Sequence, residues 1–235
     1  MESFNEYLRS TDLCDFDRAP KIKKTAQQLT KNMAHKRQIF DCLCQFVKEL
    51  PYGLEDWDVR ASQTLQKGWG MCSGKTNLLV AMCRGVMVPA RYKILKVEAE
   101  GTLWNWIISQ DSQVAAEMGR PLPEQNHVIA EAYLDTWEAC DPSRDTAFEE
   151  GLVRLGIPLD RKIVTDPDGN VCQTTLASID EWAHKRQQAR RFRGNREAIF
   201  SRVNKQFERI RLLATQNQPI HNGMLDRRYL SGADR

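Results

Sequence analysis

Apolar side chains recur at three- and four-residue spacing in several separate stretches of the chain. Ile39, Phe40, Leu43, Phe46, Val47 and Leu50 trace one face of a helix, which Pro51-Tyr52-Gly53 stops. A shorter helix is expected before it, with Pro20 at its first position and Ala26 and Leu29 in its pattern. Ser62 is placed to cap a short turn ending near Gly68. After Cys72 the helical period resumes with Leu78, Leu79, Met82 and Val86 on one side. That helix ends before Val88-Pro89, because the residue ahead of a proline resists helical backbone.

The period then changes to two. Ala90 to Val97 and His127 to Leu134 read as strands, and Trp137 to Asp141 as the returning arm of a hairpin. Between the strands lies an insertion, residues 101–125, with Trp104, Trp106 and a short helix ending at Gly119. A helix near 146–155, a loop around Asp166-Pro-Asp-Gly-Asn170 and a helical tail from Ser178 follow. In the tail, Ile199, Phe200, Val203, Phe207 and Ile210 keep helical spacing, so part of it packs. Residues 1–18 show no period and read as an N-terminal arm.

Composition narrows the class. With 235 residues and 41% hydrophobic content, the chain can bury one good core. Seven scattered cysteines form no disulfide framework, and Cys83 and Cys140 fall within apolar patterns where a buried thiol is ordinary. No Cys-x-x-Cys and no histidine pair at ligand spacing calls for zinc, and no cofactor is expected. The chain therefore reads as a reduced, cytoplasmic protein. Its polar N-terminus lacks a signal-peptide pattern, and no apolar run approaches the ~20 residues that span a bilayer. Net charge is only +3, yet residues 184–211 hold ten Lys or Arg against two Glu. A solvated outer face is the expected meaning, with an anionic partner as the alternative. Without aromatic interleaving or a known motif, nucleic acid is not supported.

Chemistry concentrates at Lys67-Gly-Trp-Gly-Met-Cys72-Ser-Gly-Lys-Thr-Asn-Leu-Leu79, where a glycine-rich approach delivers a cysteine to a helix start. Unpartnered N–H groups and the helix dipole favour a thiolate there, from about 8.5 down to about 3.5–7.5. The Cys72 N–H is the expected first donor for an oxyanion. Lys75, one turn on, is either a source of positive potential or a solvated helix lysine. A nucleophilic thiol needs a base, and His127 stands at the head of a strand; Asp141, on the hairpin partner, is a carboxylate for its far nitrogen. A two-residue turn at Asp135-Thr136 would set Asp141 against Ala130, on the wrong face for His127. A triad therefore demands an odd-length turn or a bulge.

Six strings carry a resemblance over about residues 36–145: Pro51-Tyr-Gly, Ala61-Ser-Gln-Thr-Leu65, Gly70-Met-Cys-Ser-Gly-Lys-Thr-Asn-Leu-Leu79, Arg84-Gly-Val-Met-Val-Pro-Ala-Arg-Tyr92, His127-Val-Ile-Ala-Glu-Ala-Tyr-Leu134 and Asp141-Pro-Ser143. With them the chain resembles the transglutaminase-like superfamily, in its bacterial branch. The resemblance implies a papain-like α+β fold, helices packed on an antiparallel sheet, with a helical C-terminal tail. The chain as a whole reads as an arm (1–18), a transglutaminase-like catalytic domain (19–177) and a basic helical extension (178–235). The resemblance also implies Cys72 as nucleophile, His127 as base and acid, and Asp141 as orienting carboxylate. Two departures stand out. Ser73 occupies a place that is usually aromatic in transglutaminases, and no calcium-type acidic cluster is visible, so protein crosslinking is not the default. Gln63, Tyr52 and Asn126 are candidates for a second oxyanion donor, and Glu131 for an outer partner of His127. Trp69, Trp104 and Trp106 are candidates for a pocket wall or lid. The expected activity is acyl transfer or hydrolysis on an amide, ester or thioester, acting on a protein, peptide or other acyl substrate. The alternative is a non-catalytic binding scaffold with a basic partner-binding tail.

Overall fold

In the computed structural model, residues 4–118, 123–189 and 195–215 are described. Helices α1 (Pro20–Leu29), α2 (Lys36–Lys48), α3 (Ala61–Lys67) and α4 (Cys72–Gly85) come first. Four strands follow: β1 (Ala90–Glu98), β2 (Glu124–Tyr133), β3 (Trp137–Cys140) and β4 (Gln173–Leu176). They form one antiparallel sheet in the order β3-β2-β1-β4. The 101–125 insertion contains α5 (Gly101–Gln110) and α6 (Ser112–Met118), so both of its tryptophans sit on a helix. The expected end at Gly119 lies outside the described residues. Helices α7 (Thr146–Arg154), α8 (Asp180–Ala189) and α9 (Arg196–Thr215) complete the fold.

Helix α4 departs from the one-sided pattern its leucines suggest, for every residue from Cys72 to Gly85 is buried. The cause is its place in the middle. Leu78, Leu79 and Met82 share a core with Tyr92, Ile94, Val128, Ala130 and Ala132 of the sheet and with Ile22, Phe40 and Leu43 of α1 and α2. A helix covered on all sides has no water for its polar side chains, and this one uses four of them as ties while Ser73 Oγ and Asn77 Oδ1 stay buried without a partner. Thr76 Oγ1 donates to Val128 O (3.1 Å), Asn77 Nδ2 to Val59 O (2.8 Å) and Arg84 Nε to Ala90 O (3.1 Å). Lys75 Nζ donates to the carbonyls of Lys48, Leu50 and Ser143. Lys75 is therefore not a solvated helix lysine, and it joins the end of α2 to the loop after β3.

A second core gathers Leu103 and Ile107 of α5, Val114 of α6, Phe148 and Leu152 of α7, and Ile199, Val203, Phe207 and Ile210 of α9. Met71 and Cys72 belong to this core rather than the first. The head of α4 thus emerges at the seam between the two. Helix α9 joins this seam through Asp145, which caps α7 at Phe148 N (3.0 Å) and accepts Tyr52 N–H (2.8 Å). Arg211 holds both oxygens of the same carboxylate, Nε at 3.0 Å and Nη2 at 2.7 Å. Asn204 brackets Leu54, accepting its N–H at 2.7 Å and donating to its carbonyl at 3.0 Å.

Three local expectations need correction. Ser62 does not cap α3: it lies within the helix, and Asp15 accepts from both its N–H (3.0 Å) and its hydroxyl (2.6 Å). Strand β4 follows the Asp166–Asn170 loop, and its exposed residues left no alternating trace. Cys44 of α2 and Cys140 of β3 form a disulfide with Cα atoms 6.5 Å apart, which separates Cys140 from the thiols expected to be free. Their sequence separation of 96 carries no sign of that proximity.

Replacing Arg211 with methionine leaves the buried Asp145 carboxylate without its cation. Such a loss costs about 3–5 kcal/mol, and the deficit should be read by denaturant unfolding near neutral pH. Burial opposes ionisation of Asp145, but Arg211 and the N–H groups of Tyr52 and Phe148 hold its carboxyl below the usual range. Their contribution is full above the unfolded carboxylate's value, about 3.9, and is lost as pH falls through the depressed one. The deficit of the variant should therefore shrink in acid, and a deficit independent of pH would contradict this role.

Candidate active site

Three segments converge at the seam. Cys72 is the first residue of α4, so its N–H has no helical carbonyl to meet. Glu55 Oε1 accepts the preceding N–H, of Met71, at 2.8 Å, and Lys67 pairs with the same carboxylate. A Cβ on Gly74 would stand 2.4 Å from Glu55 Oε1, so glycine at this position is what lets the carboxylate reach the helix start. The electropositive end is thus shared between Cys72 and a paired acid.

His127 lies in β2 and Asp141 one residue past β3. Pairing of Tyr133 with Trp137 and Ala130 with Cys140 leaves a three-residue turn, Leu134-Asp135-Thr136. The turn is of odd length, as the triad geometry demanded, and Asp141 falls beyond Ala130 toward His127. His127 Nε2 lies 2.7 Å from Asp141 Oδ2, while Ser143 N–H donates to Asp141 Oδ1 at 3.0 Å. With Nε2 occupied, Nδ1 is the nitrogen left for Cys72, to which the ring is hydrogen-bonded. Asp141 thereby fixes the tautomer that turns a lone pair toward the sulfur.

The charges follow from these contacts. Burial pushes the Cys72 thiol up, but the hydrogen bond and charge of His127, the Val128 N–H and the charge of Arg161 bring it below its ordinary value. Burial depresses His127, yet the charge and hydrogen bond of Asp141, with the bond to Cys72, raise it to about 9. Asp141 is held far below the usual carboxylate range, against the effect of its burial, by His127, Arg161 and Ser143. Cys72 and His127 lie buried side by side with Asp141 at the more open end, and both shifts favour thiolate beside imidazolium. Cys72 and His127 are 5% and 6% exposed, whereas the Asp141 side chain is 36% exposed.

Tyr52 also belongs here. Its phenol is pushed up by burial and by the charge of Cys72, and it shares the field of Arg161, Glu100 and Arg144. Arg161 was not singled out by any pattern, since it lies in a stretch without periodicity; its Nη1 is 2.6 Å from Asp141 Oδ2.

Other candidates sit elsewhere. Gln63 spends its amide oxygen on Arg60 N–H (2.9 Å), closing the first turn of α3, and its exposed side chain is not an oxyanion donor. Glu131 is paired with Arg91 Nε (2.7 Å) and Lys93 Nζ (2.9 Å) across the β1–β2 ladder, four residues along the strand from His127. It serves as a sheet ion pair and not as a partner of His127. Asn126 is half-buried opposite Lys96, next to His127. Trp69 packs its ring against Gly53 and under Lys67 Nζ, 4.3 Å from the ring centre. Trp104 and Trp106 lie half-buried against the second core, the one that contains Cys72. Ser73 is fully buried, which suits a small residue where transglutaminases carry an aromatic one.

Residues 23–142, just over half of the chain, match the transglutaminase-like superfamily. The chain belongs to that superfamily. The α+β fold, with helices on an antiparallel sheet, agrees with it. Among proteins of curated function, none matches the chain in sequence. Among solved structures, a candidate cysteine protease of Cytophaga hutchinsonii is similar at 17% identity and a TM-score of 0.47, over 75% of this chain and 52% of its own. A candidate protease of Parabacteroides distasonis is similar at 12% identity and a TM-score of 0.36, over 55% of this chain and 25% of its own. This chain therefore spans about half of the first and a quarter of the second.

Among the described residues no group of three or more His, Cys, Asp and Glu side chains is arranged to hold a metal ion. None of the described helices is long and apolar enough to cross a membrane. On the basic extension, Arg196, Arg202 and Arg211 pair with Asp56, Asp111 and Asp145, and Lys185 with Glu181. These pairs turn much of the positive charge back onto the protein. Arg190, Arg191 and Arg193, and residues 216–235, lie outside the described residues.

The Asp141 carboxylate, 2.7 Å from Nε2, sustains the charge of His127. In imidazole NMR titrations His127 should lose its proton near pH 9 in the native protein. In Asp141→Asn the midpoint should fall by about one to three units, the usual effect of a close opposite charge. An unchanged midpoint would contradict the pairing.

Proposed function

We propose that the protein is a transglutaminase-like cysteine enzyme that performs acyl transfer or hydrolysis through Cys72, His127 and Asp141. The observation carrying this reading is the adjacency of the three side chains: Cys72 and His127 shift each other's ionisation at close range, and His127 Nε2 lies 2.7 Å from Asp141 Oδ2. Cys72 sulfur attacks a carbonyl carbon of an amide, ester or thioester. The new C–S bond forms as the carbonyl electron pair moves to oxygen, giving an oxyanion beside the helix start. The Cys72 N–H is one donor to it, and the Tyr52 phenol, kept protonated by burial, is a side-chain donor of suitable chemistry.

Collapse of the tetrahedral species breaks the bond to the leaving group, which takes the proton from His127 Nδ1. A thioester acyl-enzyme remains. Neutral His127 then takes a proton from water or an amine as that acceptor attacks the thioester, and keeps it as the C–S bond breaks and Cys72 leaves as thiolate, which restores the starting pair. Asp141 steadies the imidazolium at both steps without itself taking the proton. A protein or peptide is the substrate class we favour, since its amide carbonyls suit attack by a thiolate with an imidazolium to protonate the leaving amine.

Chemical trapping tests this. The protein is incubated with a peptide library bearing activated esters and then analysed intact by mass spectrometry. One acyl group should accumulate on Cys72 and be released by hydroxylamine. His127→Ala should lower the acylation rate by about 10²–10⁴, the range for a positioned acid–base group. Acyl groups spread over several cysteines, at rates that ignore His127, would favour the scaffold alternative.

A further inference from the structure

We propose that Arg161 is a positioning residue for this site: its guanidinium fixes Asp141 against His127 and adds the second positive charge beside the thiol–imidazole pair. The inference rests on the acyl-transfer reading above and deepens it.

Arg161 lies between α7 and β4 and reaches back to the triad with every donor nitrogen engaged. Nη1 lies 2.6 Å from Asp141 Oδ2 and 3.2 Å from His127 Nε2, Nη2 lies 3.2 Å from Ser143 Oγ, and Nε lies 2.8 Å from Glu100 Oε1. The side chain is 16% exposed. Glu100 completes the row at Arg144, 2.5 Å away, so negative and positive groups alternate from Asp141 to Arg144. A guanidinium so fully committed is no reader of substrate; its fork is spent on holding other side chains.

Two consequences follow from that position. The Nη1–H of Arg161 and the Nε2–H of His127 converge on one carboxylate oxygen, so Asp141 cannot swing away from the ring without breaking both bonds. A fixed cation 3.2 Å from Nε2 also opposes the imidazolium and favours the thiolate. Both effects point downward in pH. Arg161 draws the thiolate–imidazolium window toward neutrality, against an Asp141 that alone would hold His127 charged to a higher value. The charged and titratable groups facing the pair are Asp141, Arg161 and Tyr52, with Glu100 and Arg144 behind Arg161.

Iodoacetate is the probe, because its rate rises with the thiolate and falls when the imidazolium that attracts its carboxylate loses a proton. Alkylation of Cys72 in the full chain is followed by peptide mass spectrometry across pH. Arg161→Gln should move both limbs of the profile upward by about one pH unit, while Arg161→Lys should restore them to within a few tenths. A merely structural role would change amplitude or stability and leave the limbs in place, and unmoved limbs in the Gln variant overturn the inference. If that variant does not fold, Glu100→Gln answers the same question. It removes the acid that shares Arg161, so both limbs should move down, and a fixed profile overturns the inference. A native protein whose Cys72 reacts only as an ordinary thiol would instead sink the acyl-transfer reading, and the inference with it.

Discussion

Burial of α4 on every side is the constraint on which the rest depends. A helix sandwiched between a sheet and three other helices has no solvent face on which to leave polar groups, so Lys75, Thr76, Asn77 and Arg84 each reach a backbone carbonyl of a neighbouring segment. Those ties fix the segments that meet at its head. Lys75 is the most consequential, because Ser143 O links it to the loop that carries Asp141. The same burial delivers Cys72 to the seam of two cores, where low dielectric strengthens any charge beside it. Position and electrostatics therefore have one origin.

The second core supplies the other half of the arrangement. Asp145 serves as helix cap, as acceptor for Tyr52 N–H and as partner of Arg211, so one carboxylate connects α7, the Tyr52 segment and α9. Through it the C-terminal helix supports the wall beside Cys72. Most described basic residues of that helix are similarly occupied with acids of the body. For Arg196, Arg202 and Arg211 the positive charge meets acids that are distant along the chain.

Periodic elements were legible because their signals are local. The apolar spacing of α2 and α9 and the alternation of β1 survive in the structure because each faces a core on one side. The triad candidates were legible for a related reason: a helix-start cysteine, a strand histidine and a hairpin aspartate each carry a local signature, and strand periodicity required the odd turn that pairs Tyr133 with Trp137. Arg161 was not legible. It lies in an aperiodic stretch and acquires meaning only when folding brings it 20 residues back to Asp141. Glu131 misled for the opposite reason, since sharing a strand face with His127 says nothing of Arg91 and Lys93 on the neighbouring strand. Likewise, nothing near Cys44 foretold Cys140.

The site balances opposing terms of similar size. Burial disfavours a thiolate and an imidazolium taken singly, and only their adjacency, with Asp141 supporting the imidazolium and Arg161 the thiolate, makes the pair stable. That balance is open to direct spectroscopy. The far-ultraviolet absorbance of the thiolate, taken as the difference between the native protein and Cys72→Ser and followed with pH, isolates this one sulfur. A thiolate band that rises at a pH below the ordinary thiol range is the expected result. A band that rises only around the ordinary thiol value of about 8.5 would contradict the account, because Cys72 would then be a buried thiol and not one half of an ion pair.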